Sequence, residues 1–130
     1  MTKLFKQTLQ YSNSGHADWI RDIEWHSIPI RKIAGIEGKK QAGYCPVANT
    51  IELADDADFS VLFGSYIHEL WHVRQRRKFG LLLYWLFLGL FRPLMEKRAK
   101  QEELAAVEWS NNVRIQKWRE AKLNERSRTN

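Results

Sequence analysis

Residues 66–75 read Tyr-Ile-His-Glu-Leu-Trp-His-Val-Arg-Gln and contain the pattern His-Glu-x-x-His at His68, Glu69 and His72. Two histidines four positions apart on a helix lie one turn apart on the same side, so both imidazoles can reach one ion. Glu69 projects beside that pair, where a carboxylate can act as a general base toward water without binding the ion. The stretch therefore predicts a helix that carries two metal ligands and one catalytic carboxylate.

Apolar residues recur at helical spacing on both sides of the motif and predict a helix from about residue 58 to residue 77. Its apolar face comprises Phe59, Leu62, Phe63, Tyr66, Leu70 and Val73. At 100° per residue the two histidines lie on the opposite face, together with Gly64 and Gln75. Asp56 or Asp58 can accept backbone N–H bonds as the N-cap and complement the positive end of the helix dipole.

Short apolar alternations before this helix predict a small sheet of about three strands, at residues 28–33, 44–47 and 50–53. Pro29 has no N–H group to give to a ladder, so the first strand is expected at an edge. Residues 2–25 mix polar and apolar side chains and predict one or two short helices. The fold class expected from these elements is α+β.

Thirteen residues without a charge follow the motif, from residue 79 to residue 91. They are too few to span a bilayer as a helix, which takes about 20 apolar residues. Arg92-Pro93 is expected to end this segment, and a final long helix is predicted from about residue 94 to residue 122. The stripe of that helix centres on Glu102 and comprises Met95, Ala99, Glu102, Ala105, Ala106, Trp109 and Val113.

The third metal ligand is expected to be a glutamate. After His72 the sequence contains no His, Cys or Asp, so a downstream protein ligand must come from Glu96, Glu102, Glu103, Glu108, Glu120 or Glu125. Glu102 lies at the centre of the apolar stripe, where a carboxylate without a counter-charge would cost several kcal/mol. Glu103 lies about 100° away at its margin. We therefore favour Glu102 over Glu103 and expect the other glutamates to face solvent.

Composition indicates one domain. The chain has 130 residues, of which 44% are hydrophobic and 28% charged, as expected for a compact globular fold. We place the domain at residues 1–123 and expect residues 124–130 to form a polar tail. Cys45 is the only cysteine and the first residues lack the apolar stretch of a secretory signal, so a cytoplasmic location is predicted.

The net charge of +6 does not indicate a nucleic-acid partner. Basic residues can bind phosphates, but here no RNA-binding aromatic signature and no paired zinc-finger cysteines accompany them. We interpret most of the excess as solvated helix faces and tail, and we expect no specific nucleic-acid binding.

Residues 66–75, the apolar stretch that follows and Gln101-Glu-Glu-Leu-Ala-Ala106 together resemble the gluzincin class of zinc metallopeptidases. The likeness is strongest to the minimal single-domain members of bacteria and phages, and it covers roughly residues 49–109. It implies a zincin-like fold in which the HExxH helix lies beneath the small sheet and a long glutamate helix closes the metal site.

The resemblance also implies a function. Zinc would be bound by His68, His72 and Glu102, and Glu69 would be the base that hydrolyses peptide bonds of a peptide or protein substrate. Residues 49–53 would be the edge strand along which that substrate aligns. Tyr44, Tyr66 and Tyr84 are the candidates for stabilising the oxyanion, because no residue matches that part of the family pattern directly.

Two other functions remain open from the sequence. One is a zinc-stabilised structural or assembly protein that keeps the ligands without turnover. The other is a module that uses residues 79–91 to bind a membrane surface peripherally, or a second copy of the chain. Arg and Lys flank that segment on both sides and suit an anionic bilayer.

Overall fold

The computed structural model describes residues 2–33, 42–54 and 59–129. Within them the chain is mostly helical with a small mixed sheet, which confirms the α+β class. The elements are α1 (Thr2–Ser12), two 3₁₀ helices (Asp18–Ile23 and Trp25–Ser27), β1 (Ile30–Ile33), β2 (Ala42–Cys45), β3 (Thr50–Ala54), α2 (Phe59–Phe79) and α3 (Leu81–Thr129). The predicted N-cap at Asp56 or Asp58 lies outside the described residues.

The three strands lie in the order β1-β3-β2. β1 pairs with β3 in parallel, and β2 pairs with β3 in antiparallel orientation. The edge position predicted for the first strand is confirmed, whereas the edge position expected for residues 49–53 is wrong. β3 takes the centre because Ile51, Leu53 and Ala54 are all buried, and a strand this apolar is stabilised by a neighbour on each side.

The helix predicted around the motif is confirmed as α2, and it is buried on nearly all sides. Phe63, Tyr66 and Leu70 are fully buried in the core formed with α1, the 3₁₀ helices and the sheet. The opposite face, which carries the histidines, is covered by α3, and His72 is itself buried. The motif therefore lies between two helices and not on the surface of one.

A glycine separates the two long helices. The N–H of Gly80 donates to the carbonyl oxygen of Arg76 at 2.7 Å, and its φ of 81° is a left-handed conformation that favours glycine at a helix end. α3 starts at once with Leu81 and bends at Phe91, where φ is −127° and ψ is 26°. Pro93 lies two residues after Phe91 and explains the bend, because proline has no N–H group to donate to the helical ladder.

The predicted stop at Arg92-Pro93 is thus a kink within α3 and not its end. α3 then continues to Thr129, beyond the expected end near residue 122, so residues 124–129 are helical where a tail was predicted. No glycine or proline occurs after Pro93, and good helix formers such as Glu, Ala, Lys and Arg predominate there.

No single helix among the described residues is long and apolar enough to cross a membrane. Two consecutive segments, Val61–Phe79 and Leu81–Arg126, meet the length and composition requirement only as a pair, and they are bent by 119° where they join.

Candidate metal centre

His68, His72 and Glu96 converge at the contact between α2 and α3. The two oxygens of Glu96 divide between the rings: Oε2 lies 3.1 Å from Nε2 of His68, and Oε1 lies 3.0 Å from Nε2 of His72. One ligand atom from each residue lies within 4.8 Å of the others. Tetrahedral zinc with bonds of about 2.0–2.1 Å separates such ligand atoms by about 3.3 Å, so the group has the size of a single-ion site.

The outer nitrogen of His72 is held by a neighbour on its own helix. Nδ1 of His72 lies 2.9 Å from Oε1 of Gln75, and both side chains are buried. With the amide oxygen as the acceptor, the ring proton lies on Nδ1 and a lone pair is left on Nε2. That lone pair points toward the Glu96 carboxylate. Two acceptors at 3.0 Å repel each other unless a cation lies between them, either a proton on the ring or a metal ion.

The outer nitrogen of His68 faces a second carboxylate. Oε1 of Glu103 lies 2.9 Å from Nδ1 of His68, but it is out of line for a hydrogen bond, so Nδ1 is buried without a hydrogen-bond partner among the described residues. The other oxygen of Glu103 accepts from Nζ of Lys100 at 2.8 Å. Glu103 therefore lies at ion-pair distance behind the ring of His68 without a hydrogen bond to it.

Gly64 lets the two helices come close enough for these contacts. A Cβ atom added at this position would lie 2.5 Å from Cγ2 of Val107 and 3.3 Å from Cγ of Glu103. Gly64 precedes His68 by one turn, so the approach occurs next to the site. Glu96 and Glu103 are seven residues apart on α3 and therefore lie on the same side of that helix, facing the histidines.

Glu102, predicted as the third ligand, lies on a different side of α3. Its Oε2 accepts from Nε1 of Trp19 at 3.3 Å, and its Oε1 lies 3.5 Å from Nη2 of Arg98. Trp19 also packs edge-on against Trp71 at 5.0 Å, so this carboxylate faces the first 3₁₀ helix. Burial, together with the charge of Glu102, raises the pKa of Tyr11 to about 12. The structure does not bring Glu102 to the histidines.

Glu96 is the residue that the sequence analysis assigned to solvent. Its side chain is 40% exposed, which agrees with a charged position, but the exposed carboxylate ends on the two histidines. Glu96 lies five residues after the kink at Phe91. A helical wheel drawn through residues 94–122 does not contain this kink, so it cannot show which way the first turn after the kink faces. The sequence does contain one indication that Glu96 belongs to the site: it lies seven residues, or two helical turns, before Glu103, so the two carboxylates share a side of the helix.

Glu69 and Tyr84 are buried close to the group. Glu69 is 7% exposed and Tyr84 is 3% exposed. Burial raises the pKa of Tyr84 far above its usual value, and the charges of Tyr44, Glu69 and Glu96 add to this effect. The charges of both carboxylates thus act on the Tyr84 hydroxyl, which stays protonated at neutral pH.

The three candidate tyrosines lie in different surroundings. The ring of Tyr44 in β2 meets the ring of Tyr84 edge-on at 6.4 Å. Tyr66 is fully buried in the core, its pKa is raised by burial alone, and its hydroxyl has no hydrogen-bond partner among the described residues. Of the three, Tyr84 is the one whose pKa is raised by the charge of Glu69 in addition to burial.

No protein-family model, curated protein or solved structure matches the chain. The side chains themselves carry the functional argument. Two imidazole nitrogens and one carboxylate oxygen form a donor set that suits zinc, and three protein ligands leave a fourth position open. A buried carboxylate and a buried phenol lie beside them.

Proposed function

We propose that the chain is a zinc-dependent peptidase of zincin-like fold, with zinc bound by His68, His72 and Glu96. The observation that carries the proposal is the orientation of the two rings. Both Nε2 atoms face one carboxylate, while the two Nδ1 atoms face Gln75 and Glu103. Metal-binding histidines in proteins commonly donate the other ring N–H to an acceptor. Gln75 is such an acceptor for His72, and Glu103 lies behind His68 at ion-pair distance without a hydrogen bond.

A zinc ion bound there would act as a Lewis acid that lowers the pKa of water and polarises a carbonyl group. Glu69 would accept the proton of the attacking water and return it to the leaving amine. Its burial keeps competing bulk water away from that transfer. The protonated hydroxyl of Tyr84 is the donor that we propose would stabilise the oxyanion on the peptide carbonyl.

β2 is the strand that we propose for substrate alignment. Among the described residues it pairs only with β3, so its other edge can accept an extended peptide as an additional strand. Tyr44 in β2 contacts Tyr84, which brings this edge toward the site. We therefore assign substrate alignment to β2 and not to β3, which is central in the sheet.

The test combines metal content with cleavage of a mixed peptide pool, with and without a chelator. We expect about one zinc per chain, loss of zinc in His68→Ala and His72→Ala, and cleavage that the chelator abolishes. Glu69→Gln should keep the zinc and lose at least about 10²-fold in cleavage rate, because the amide keeps the shape but cannot take a proton. Glu120→Gln makes the same change at an exposed position and should alter neither the zinc content nor the cleavage rate.

Three results would contradict the proposal. Unchanged metal content in both histidine variants would remove the site itself. Cleavage by Glu69→Gln at the parental rate would remove Glu69 as the general base. Bound zinc with no cleavage in the parent would instead favour a zinc-stabilised structural protein without turnover.

A further inference from the structure

The first turns of α3 expose an apolar surface that no described residue covers. We call it the leucine face, and it consists of Leu82, Leu83, Trp85, Leu86 and Leu90, all of them exposed. Leu82 is the most exposed of the five, at 83%. At 100° per residue these side chains lie within an arc of about 160°, and Gly89 is the only other residue of that arc. A continuous apolar face of this width on a small protein indicates a binding surface.

The other side of the same helix is fixed to the protein. Tyr84 is buried beside the candidate metal centre, and the ring of Phe87 packs on Phe79 at 4.9 Å and on Phe91 at 6.0 Å. Gly80 and the kink at Phe91 set the direction of the helix at its two ends. The leucine face is therefore held outward by a packed aromatic side and is not a loose end of the chain.

The surroundings of the leucine face are basic. Residues 70–95 contain five Arg or Lys and no Asp or Glu. Arg77 and Lys78 precede the face and Arg92 follows it, and all three are exposed. Lipid headgroups that carry net negative charge attract such residues, and tryptophan prefers the boundary between headgroups and hydrocarbon, as expected for Trp85.

We infer that the leucine face docks the chain on the surface of an anionic bilayer. Residues 81–91 form a helix about 16 Å long, roughly half the thickness of a hydrocarbon core, so the helix can lie in the interface but cannot cross it. A second copy of the chain is a poorer partner, because symmetric contact would bring two sets of like charges together. An anionic surface has the charge that complements them.

Docking in this way places the candidate metal centre near the bilayer. Tyr84 and Leu82 lie on opposite sides of one helix, so the site is about one helix diameter, roughly 10 Å, from the docked face. If the chain is the peptidase proposed above, a site at this distance would act on polypeptide segments at the membrane surface, and this substrate class rests on the proposed function.

The test is flotation of the full chain with vesicles of phosphatidylcholine, alone or mixed with phosphatidylglycerol. We expect binding to the mixed vesicles that weakens as salt is raised, and little binding to phosphatidylcholine alone. The double variant Leu82→Gln, Trp85→Gln should lose at least about tenfold in partition coefficient, because both side chains leave water on docking. Trp118→Gln, Leu123→Gln makes the same changes at exposed positions far along α3 and should bind like the parent.

Light scattering and a metal-site variant complete the design. His68→Ala should float like the parent although it loses metal, so failure of the proposed function and failure of docking are separate results. A parent chain that ignores both kinds of vesicle overturns the inference. So does a dimer that Leu82→Gln, Trp85→Gln converts to monomer without any vesicle binding, or an equal loss of binding in the Trp118 and Leu123 control.

Discussion

Replacing Gln75 by alanine should weaken zinc binding without touching a ligand. Oε1 of Gln75 accepts the Nδ1 proton of His72 at 2.9 Å in a buried position. The substitution leaves that proton without its acceptor, so the ring can rotate or change tautomer, and Nε2 no longer points reliably at the metal position. Alanine is at least as favourable as glutamine in a helix, so α2 should keep its structure.

The expected magnitude follows from two separate estimates. Leaving a buried hydrogen-bonding group without its partner costs about 1–3 kcal/mol. Loss of a partner behind a metal-binding histidine typically lowers metal affinity about 10- to 100-fold, which corresponds to about 1.4–2.7 kcal/mol. The two ranges overlap, and we expect the dissociation constant for zinc to rise by about 10- to 100-fold. His72→Ala removes a ligand and should raise the dissociation constant for zinc by far more than about 100-fold.

Zinc titration against a competing chromophoric chelator at fixed pH measures this change. Gln75→Glu keeps an acceptor at the same place, so its affinity should equal or exceed that of the parent. Gln101→Ala removes a glutamine from an exposed position of α3 and serves as the matched control. Thermal unfolding with and without zinc gives a second readout, because weaker binding stabilises the folded chain less.

One pattern of results would refute this reasoning. If Gln75→Ala binds zinc as tightly as the parent while His72→Ala does not, the contact at Nδ1 does not orient the ring. If Gln75→Glu loses as much affinity as Gln75→Ala, the packing of the glutamine matters and its acceptor oxygen does not.

Three further predictions concern the contact between the helices. Glu96→Gln should strip zinc while Glu102→Gln keeps it, and the reverse in metal analysis would restore the ligand set expected from sequence. Gly64→Ala should destabilise the fold by up to about 2 kcal/mol in denaturant unfolding, since overpacking against the stiff Val107 costs about 1–3 kcal/mol and the higher helix propensity of alanine offsets about 1 kcal/mol; a stabilised variant would contradict the close approach. Tyr84→Phe should retain zinc and lose at least about tenfold in cleavage rate, and a rate equal to that of the parent would exclude it as the oxyanion donor.

The elements that the sequence predicted correctly depend on local patterns. The spacing of apolar residues predicted α2, and Pro29 indicated that the first strand lies at an edge. Both inferences need only the residue itself and its near neighbours. The order of the strands depends instead on which segment is most completely buried, and that property of β3 appears only when both neighbours are in place.

The third ligand shows where such reasoning reaches its limit. A helical wheel identifies residues that share a face, but it does not say which side of a broad stripe meets a given partner helix. Glu102 and Glu103 are both mostly buried at 15% and 20% side-chain exposure, yet only Glu103 turns toward His68. Glu96 lies just after a kink that no wheel contains.

From the sequence, a cation is expected at Glu102, because a buried carboxylate without a counter-charge is costly. Glu102 has a counter-charge in Arg98 and a donor in Trp19, so its burial needs no metal. Glu96 has neither: among the described residues no Lys or Arg lies within ion-pair distance, and its two oxygens meet the Nε2 atoms of two histidines. A neutral imidazole donates one N–H, so His68 can satisfy its contact with its own proton, whereas the proton of His72 is already engaged with Gln75. A second proton on His72, or one divalent ion bound by all three side chains, satisfies both contacts, and metal analysis of the parent and of Glu96→Gln distinguishes the two.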